Sequence, residues 1–164
     1  KAGVTVDLIV RDTCCLRPRM EGLSDNISVV SIIGRFLEHS RIFYFRNAGD
    51  EEYYISSADL MQRNLESRVE LGVPVEANGP RNKLRFILDT QLGDQRDAWD
   101  MCSDGRYEQR ASGPEAKGSQ QRFIEKAKTD LSEMESVLSK NQAGLHTPIG
   151  DSLRRLTADR SISC

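Results

Sequence analysis

Two short apolar runs rich in β-branched residues set the strongest limit on the fold of this chain. They span residues 4–10 and 27–33. Each is too short for an ordinary helix, and continuous apolar runs of this length are typical of buried strands. Arg17-Pro18 and Glu21-Gly22 lie between the runs and indicate a loop. The chain is therefore predicted to build its core on a sheet that is covered on both faces.

The remaining segments mix strand and helix signals, so we predict an α/β (α+β) fold. Asn47-Ala48-Gly49-Asp50 is a turn signal between two strand-like runs, which indicates a hairpin. The predicted elements are a single helical turn over 34–40, strands over 42–45 and 52–55, a helix over 60–65 capped by Asp59, a strand over 69–75, a helix over 81–95, a short hairpin over 99–109 and a helix over 119–140.

Composition shifts after Arg110. Residues 111–118 contain two glycines and a proline and indicate a linker. A helix with one apolar stripe follows, and then a polar tail. We therefore predict a catalytic domain over 1–110 and an extension over 111–164. Because a strand-like run begins directly after Lys1, we also expect further chain upstream.

Charge and cysteine content exclude several classes of function. The net charge is −2, so the chain has no overall basic field for nucleic acid, and any polyanion must be bound locally by arginines. The four cysteines contain no Cys-x-x-Cys pair, which argues against zinc and against a disulfide framework. Cys14 and Cys15 are predicted to be small buried side chains. We expect a reducing, cytoplasmic location, with membrane association left open but without a transmembrane segment.

The candidate chemistry centres on His39, one of two histidines in the chain. Arg41 follows two residues later, just before a strand. An imidazole can act as nucleophile, acid or base near neutral pH, and a guanidinium binds phosphate oxygens through two donors. Arg11 lies at the carboxyl end of the first strand, where ligands of open α/β sheets gather. The alternatives are a histidine that only caps a helical turn, and a surface ion pair between Arg11 and Asp12.

Several separated blocks carry a family resemblance. They are residues 7–18, 22–27, 32–45, 54–65 and 68–70. The strings Cys-Cys-Leu-Arg-Pro and Gly-Arg-Phe-Leu-Glu-His-Ser-Arg-Ile are the most specific parts of them. In this order and at these distances, the blocks closely resemble the C-terminal part of the long-chain polyphosphate kinases. These enzymes reversibly transfer the terminal phosphate of ATP to inorganic polyphosphate.

The resemblance implies roles for specific residues. His39 would assist a transfer that proceeds through a phosphohistidine on the preceding domain. Arg11, Arg68 and His39 would bind ATP and its phosphates. Arg41, Asp59 and Asn64 are candidates that would orient His39 or line the pocket.

The resemblance also implies partners and a cofactor. The partners would be ATP or ADP, polyphosphate and the preceding domains of the same enzyme, in a homo-oligomer. Mg²⁺ would be bound mainly by residues outside this chain, and no metal ligand is expected within it.

A second resemblance, to phospholipase D-like enzymes, implies a mixed sheet with flanking helices. Those enzymes carry a histidine, a basic residue two positions later, and a small turn like Ser56-Ser57-Ala58-Asp59. Here Arg41 replaces the usual lysine and Ser56 replaces glycine. Because such sites need two halves, one alternative is a phosphodiesterase half-site that works as a homodimer. The other is a non-catalytic anion-binding module that uses the C-terminal helix.

Overall fold

The computed structural model describes residues 2–11 and 13–144, with side chains through residue 140. This part of the chain is a mixture of strands and helices, so the predicted α+β class is confirmed. The elements are β1 (Val6–Ile9), β2 (Ile27–Ile32), β3 (Ile42–Phe45), β4 (Glu52–Ser56), α1 (Gln62–Ser67), β5 (Gly72–Pro74), α2 (Asn78–Leu92), β6 (Ala98–Met101), β7 (Tyr107–Gln109) and α3 (Ser119–Gly144).

The first sheet has the strand order β1-β2-β6-β7. β1 and β2 run parallel, and the other two pairs are antiparallel. Val30, Ile32 and Ala98 form its buried core, packed against Ile9 and Leu92. The prediction of a buried strand is confirmed for β2. β1 is an edge strand, so it is only partly buried.

The second sheet has the order β3-β4-β5 and is fully antiparallel. The predicted β3–β4 hairpin is confirmed, with a short 3-10 turn over Asn47–Gly49. The second sheet and α2 lie in the sequence between β2 and β6. The backbone N–H of Ile33 donates to the carbonyl of Asp97 over 2.8 Å. The two ends of this long excursion are therefore joined directly beside the first sheet.

The predicted helical turn over 34–40 is wrong. The segment is a bend over 34–36 followed by chain without regular secondary structure. Both backbone groups of Phe36 hydrogen-bond to the side chain of Gln120, at 2.8 Å to its Oε1 and 2.6 Å from its Nε2. These bonds replace those that a helical turn would have used.

The predicted cap of the following helix is also wrong. α1 begins at Gln62, and Met61 precedes it without a side-chain cap. The carboxylate of Asp59 instead accepts a hydrogen bond from Nε of Arg41. A charge-assisted bond to a guanidinium is stronger than an ordinary cap, which explains the change.

One helix boundary and one burial prediction also differ from the expectation. α2 begins at Asn78, not Arg81, and so includes Pro80 in its first turn. Proline is tolerated there because the first N–H groups of a helix have no partner within it. Cys15 is exposed and Cys14 only partly buried, contrary to the expectation for these side chains.

α3 begins at Ser119 because a distant carboxylate caps it. Oδ2 of Asp94 accepts the backbone N–H of Ser119 at 2.5 Å, and Oδ1 accepts those of Arg96 and Asp97 at 2.8 Å. A Cβ on Gly118 would overlap the carboxylate of Asp97, so glycine is required just before the helix. An acceptor at this position satisfies a free N–H donor and suits the helix dipole.

The chain divides after Phe123 into two compact units. The first contains both sheets and the start of α3. In the second, Leu131, Met134 and Leu138 of α3 each leave more than half of their surface exposed. All three belong to the apolar stripe that was predicted for this helix. No helix in the described residues is long and apolar enough to cross a membrane. The functional division at residue 110 stays a prediction.

Candidate active site

Arg11 and His39 meet at the surface of the first unit. Arg11 lies two residues after the end of β1, and His39 lies in the irregular chain that leads into β3. Nη1 of Arg11 is 3.0 Å from Nδ1 of His39 and donates to the carbonyl of Glu38 over 2.7 Å. Both Arg11 and His39 are exposed. The structure therefore brings together the two residues that the sequence analysis ranked first.

This contact fixes which nitrogen of His39 carries the proton. A guanidinium can only donate hydrogen bonds, so Nδ1 of His39 must accept. In the neutral imidazole the proton then lies on Nε2. The neutral ring of His39 is thereby prepared to donate a hydrogen bond through Nε2.

Arg41 and Asp59 form the second part of the site. Nε of Arg41 lies 2.7 Å from Oδ1 of Asp59, and each side chain keeps about a third of its surface exposed. The hydrogen bond from Arg41 holds the pKa of Asp59 below its ordinary value, and the positive charges of Arg11 and Arg63 act in the same direction. Asp59 therefore lies within electrostatic reach of the Arg11–His39 contact.

Glu70 links the remaining predicted residues. Its carboxylate accepts hydrogen bonds from the hydroxyl of Ser57 and, at 2.7 Å, from Nδ2 of Asn64. These bonds lower the pKa of Glu70, and the charges of Arg68 and Arg41 lower it further. Asn64 is almost completely buried. It therefore supports the position of Glu70 from beneath the surface.

Five of the six predicted site residues thus lie in three separate contacts, Arg11 with His39, Arg41 with Asp59, and Asn64 with Glu70, and Arg68 acts on Glu70 only through its charge. Within the described contacts, Arg11 and not Asp59 or Asn64 touches the ring of His39. The possible ion-pair partner Asp12 lies outside the described residues. The functional role of each residue stays a prediction.

The sequence analysis missed two residues that belong to this region. Glu70 was part of a resemblance block, and its acidic charge among arginines was a usable signal. Gln120 was assigned to the extension, yet its side chain binds the segment that carries His39. No local pattern at the start of a helix reveals a contact with a residue more than 80 positions away.

Among the described residues, no group of three or more His, Cys, Asp or Glu side chains is arranged to hold a metal ion. The two carboxylates of the region, Asp59 and Glu70, are already engaged by protein donors. The arrangement instead concentrates cationic donors, which suits the binding of phosphate oxygens.

Known proteins resemble this chain in sequence. The model of the family described as "Polyphosphate kinase C-terminal domain 2" matches residues 1–121. A polyphosphate kinase of Synechocystis is 53% identical over 135 residues, covering 81% of this chain and 18% of that protein. A polyphosphate kinase of Pseudomonas aeruginosa is 55% identical over 108 residues, covering 66% of this chain and 16% of that protein.

A solved structure gives the same result at the level of the fold. The crystal structure of a polyphosphate kinase from Porphyromonas gingivalis superposes with a TM-score of 0.67 at 38% identity. The superposition covers 78% of this chain and 20% of that one. The chain thus spans no more than about a fifth of the length of these relatives. From the family model and these relatives we conclude that the chain belongs to the polyphosphate kinase family, as its C-terminal domain.

Proposed function

We propose that this chain supplies the phosphate-binding half of the active site of a polyphosphate kinase. The enzyme would reversibly transfer the γ-phosphate of ATP to inorganic polyphosphate, through a phosphohistidine on the preceding domain. The contact between Nη1 of Arg11 and Nδ1 of His39 is the observation that carries the proposal. It joins a phosphate-binding group to an acid–base group at the end of a strand.

The arginines would neutralise the charge of the transferred phosphoryl group. In phosphoryl transfer, negative charge spreads over the equatorial oxygens, and catalysis consists mostly of positioning and electrostatic stabilisation. The described contacts of Arg11 use only Nη1, whereas a guanidinium carries five N–H donors. Arg11 and the exposed Arg68 would direct donors to the phosphates of ATP.

His39 would act as a hydrogen-bond donor of the reaction. With Nδ1 accepting from Arg11, Nε2 of the neutral ring carries the proton and can donate a hydrogen bond to a phosphate oxygen on which charge develops. The same donor would stabilise the transferred group in both directions of the reaction. Asp59 holds Arg41 in this region by their ion pair.

Magnesium has no step in this half of the mechanism. The described residues do not fit a Mg²⁺ site, because their carboxylates in this region bind protein donors. We propose that the ion is bound mainly by the other domains. We further propose that the enzyme is cytoplasmic and forms a homo-oligomer. Its preceding domains would complete the site.

A chimeric enzyme tests the proposal. The matching segment of the Synechocystis polyphosphate kinase is replaced by this chain, and ATP-dependent polyphosphate synthesis is measured. We expect the chimera to be active, and His39→Ala to reduce turnover roughly 100- to 1,000-fold because a positioned hydrogen-bond donor to the transferred phosphoryl group is lost. His146→Ala, the only other histidine substitution available, is the matched control and should leave turnover unchanged. A folded chimera whose turnover is insensitive to His39→Ala would contradict the proposal.

A further inference from the structure

We infer that Gln120, at the start of α3, is a positioning residue for His39. The inference rests on the proposed function only in taking His39 as the group that must be oriented. Gln120 touches neither Arg11 nor His39 in the described contacts, so it would act through the segment that carries His39. The following contacts define that route.

The Gln120 side chain holds the chain before His39 at three points. Its Oε1 accepts the backbone N–H of Phe36 at 2.8 Å, and its Nε2 donates to the carbonyl of Phe36 at 2.6 Å. Nε2 also donates to Oε1 of Glu38 at 2.7 Å. Gln120 is only 4% exposed, so water competes little for these bonds.

The surroundings leave space for this side chain and little else. A Cβ on Gly34 would lie 2.6 Å from Oε1 of Gln120, so glycine lets the bend approach the amide closely. On the other side, Asp94 caps Ser119 next to Gln120. Gln120 is therefore fixed by a capped helix end, while the segment over 34–38 has no helix or strand of its own.

The carbonyl of Glu38 connects this anchor to the proposed site. It accepts Nη1 of Arg11 at 2.7 Å, and the same Nη1 reaches Nδ1 of His39 at 3.0 Å. Nη1 of Arg11 thus donates both to the carbonyl of Glu38, which Gln120 helps to place, and to Nδ1 of His39. A shift of Glu38 moves Nη1 and weakens the constraint that keeps the proton of His39 on Nε2.

A simple structural role makes a different prediction. If Gln120 only stabilises the bend, its loss lowers stability but leaves the state of the His39 ring unchanged. If it positions His39, its loss allows the proton to occupy both ring nitrogens. Measuring which ring nitrogen of His39 carries the proton therefore distinguishes the two roles without any measurement of catalysis.

The test uses nitrogen NMR of the imidazoles in the 164-residue chain labelled with ¹⁵N-histidine. His146→Gln assigns the two ring systems. In the wild-type chain above neutral pH we expect His39 to show a bare Nδ1 and a protonated Nε2. Gln120→Ala should shift both ring signals towards the average of the two tautomers. Gln95→Ala, at an exposed glutamine, is the matched control and should leave them in place.

Two further variants keep the test decisive if Gln120→Ala folds poorly. Gly34→Ala retains Gln120 but pushes its Oε1 away, and it should reproduce the change in the His39 signals. Gln120→Glu keeps an acceptor for Phe36 but loses both donors and faces Glu38 with a like charge, so it should also shift them. Dispersed amide spectra establish which variants are folded.

The proposal is overturned if folded Gln120→Ala or Gly34→Ala chains keep the wild-type His39 ring signals. It is likewise overturned if the wild-type chain already shows averaged tautomers. These outcomes are independent of phosphoryl transfer. An inactive chimera would refute the proposed function and leave the ring measurement standing, and unchanged ring signals would refute the role of Gln120 in an active enzyme.

Discussion

At the residue scale, the site depends on what a guanidinium can do and an ammonium cannot. Nη1 of Arg11 serves two acceptors at once, the Glu38 carbonyl and the ring of His39. Its other donors lie in a fixed plane with Nη1, so they are oriented for a phosphate by the same contacts. Lysine would keep the charge but not this geometry.

Substituting lysine for Arg11 or Arg68 should therefore separate binding of phosphate from support of the fold. In the chimera, each of Arg11→Lys and Arg68→Lys is expected to reduce turnover by roughly 10- to 100-fold, the equivalent of one charge-assisted hydrogen bond. Both residues are exposed, so stability should change by less than about 1 kcal/mol. ATP affinity, turnover and thermal unfolding are measured for each variant. Arg46→Lys, at the other end of β3, is the control, and wild-type kinetics in both test variants would remove these arginines from the site.

The sequence indicated which residues to consider in this region, but not all of their contacts. His39 and Arg11 were candidates because a histidine and an arginine lie near strand ends and because the surrounding strings resemble a known family; the structure brings them into contact, and their roles stay predictions. Asp59 was assigned to a helix cap, which is a local interaction, whereas it binds Arg41 eighteen positions away. Spacing along the chain carries information on neighbours in a helix or strand, but not on which distant guanidinium a carboxylate meets.

At the element scale, α3 shows how a boundary can be set from outside the element. The predicted start at Ser119 was correct, but the cause is the carboxylate of Asp94, which follows α2. The helical turn expected over 34–40 failed for a related reason. Gln120 supplies the hydrogen bonds of Phe36 that a turn would have supplied internally. Side chains from distant elements decided both cases.

The cap at Asp94 should make the start of α3 sensitive to acid. Burial raises the pKa of Asp94, but hydrogen bonds from the backbone N–H groups of Ser119, Asp97 and Arg96 outweigh it and leave the pKa below its ordinary value. The folded state therefore favours the ionised carboxylate. Its contribution to stability is present above the unfolded pKa of about 3.9 and is lost as the pH falls through the folded value.

Asp94→Asn tests this dependence. The substitution should lower the free energy of unfolding at pH 7 by about 1–3 kcal/mol, because the amide NH2 replaces one carboxylate oxygen and leaves a backbone N–H without its acceptor. It should also reduce the loss of stability between pH 5 and acid pH relative to the wild-type chain. Urea unfolding at a series of pH values measures both effects. Asp50→Asn, in the exposed β3–β4 turn, is the control, and parallel pH profiles of Asp94→Asn and the wild type would contradict the assignment.

At the scale of the whole molecule, the fold class and the hairpin were predictable from periodicity and turn residues. The arrangement of two sheets was not, because a segment of more than 60 residues separates the paired strands β2 and β6. Sequence patterns identify strands, whereas pairing across such a distance depends on the packing of the complete domain.

The chain alone should make no polyphosphate. Its site lacks a second histidine that could carry the phosphoryl group, because in the described region only His39 lies among the arginines. Incubation with ATP and Mg²⁺, followed by detection of long-chain product, measures this. The active chimera is the positive control. Product from the isolated chain would favour the alternative of a half-site completed by a homodimer.

The closure of the excursion between β2 and β6 has a consequence for folding. Arg11 follows the first sheet, and His39 lies on the excursion, whose ends are held by the bond from Ile33 to Asp97. The β1–β2 pair alone could bring Arg11 near His39, whereas the bond between Phe36 and Gln120 joins positions 84 residues apart and forms in a slow, non-local event. A partly folded chain can therefore hold the two residues of the contact, but it lacks the anchor on Phe36 and Glu38 that Gln120 supplies in the folded domain.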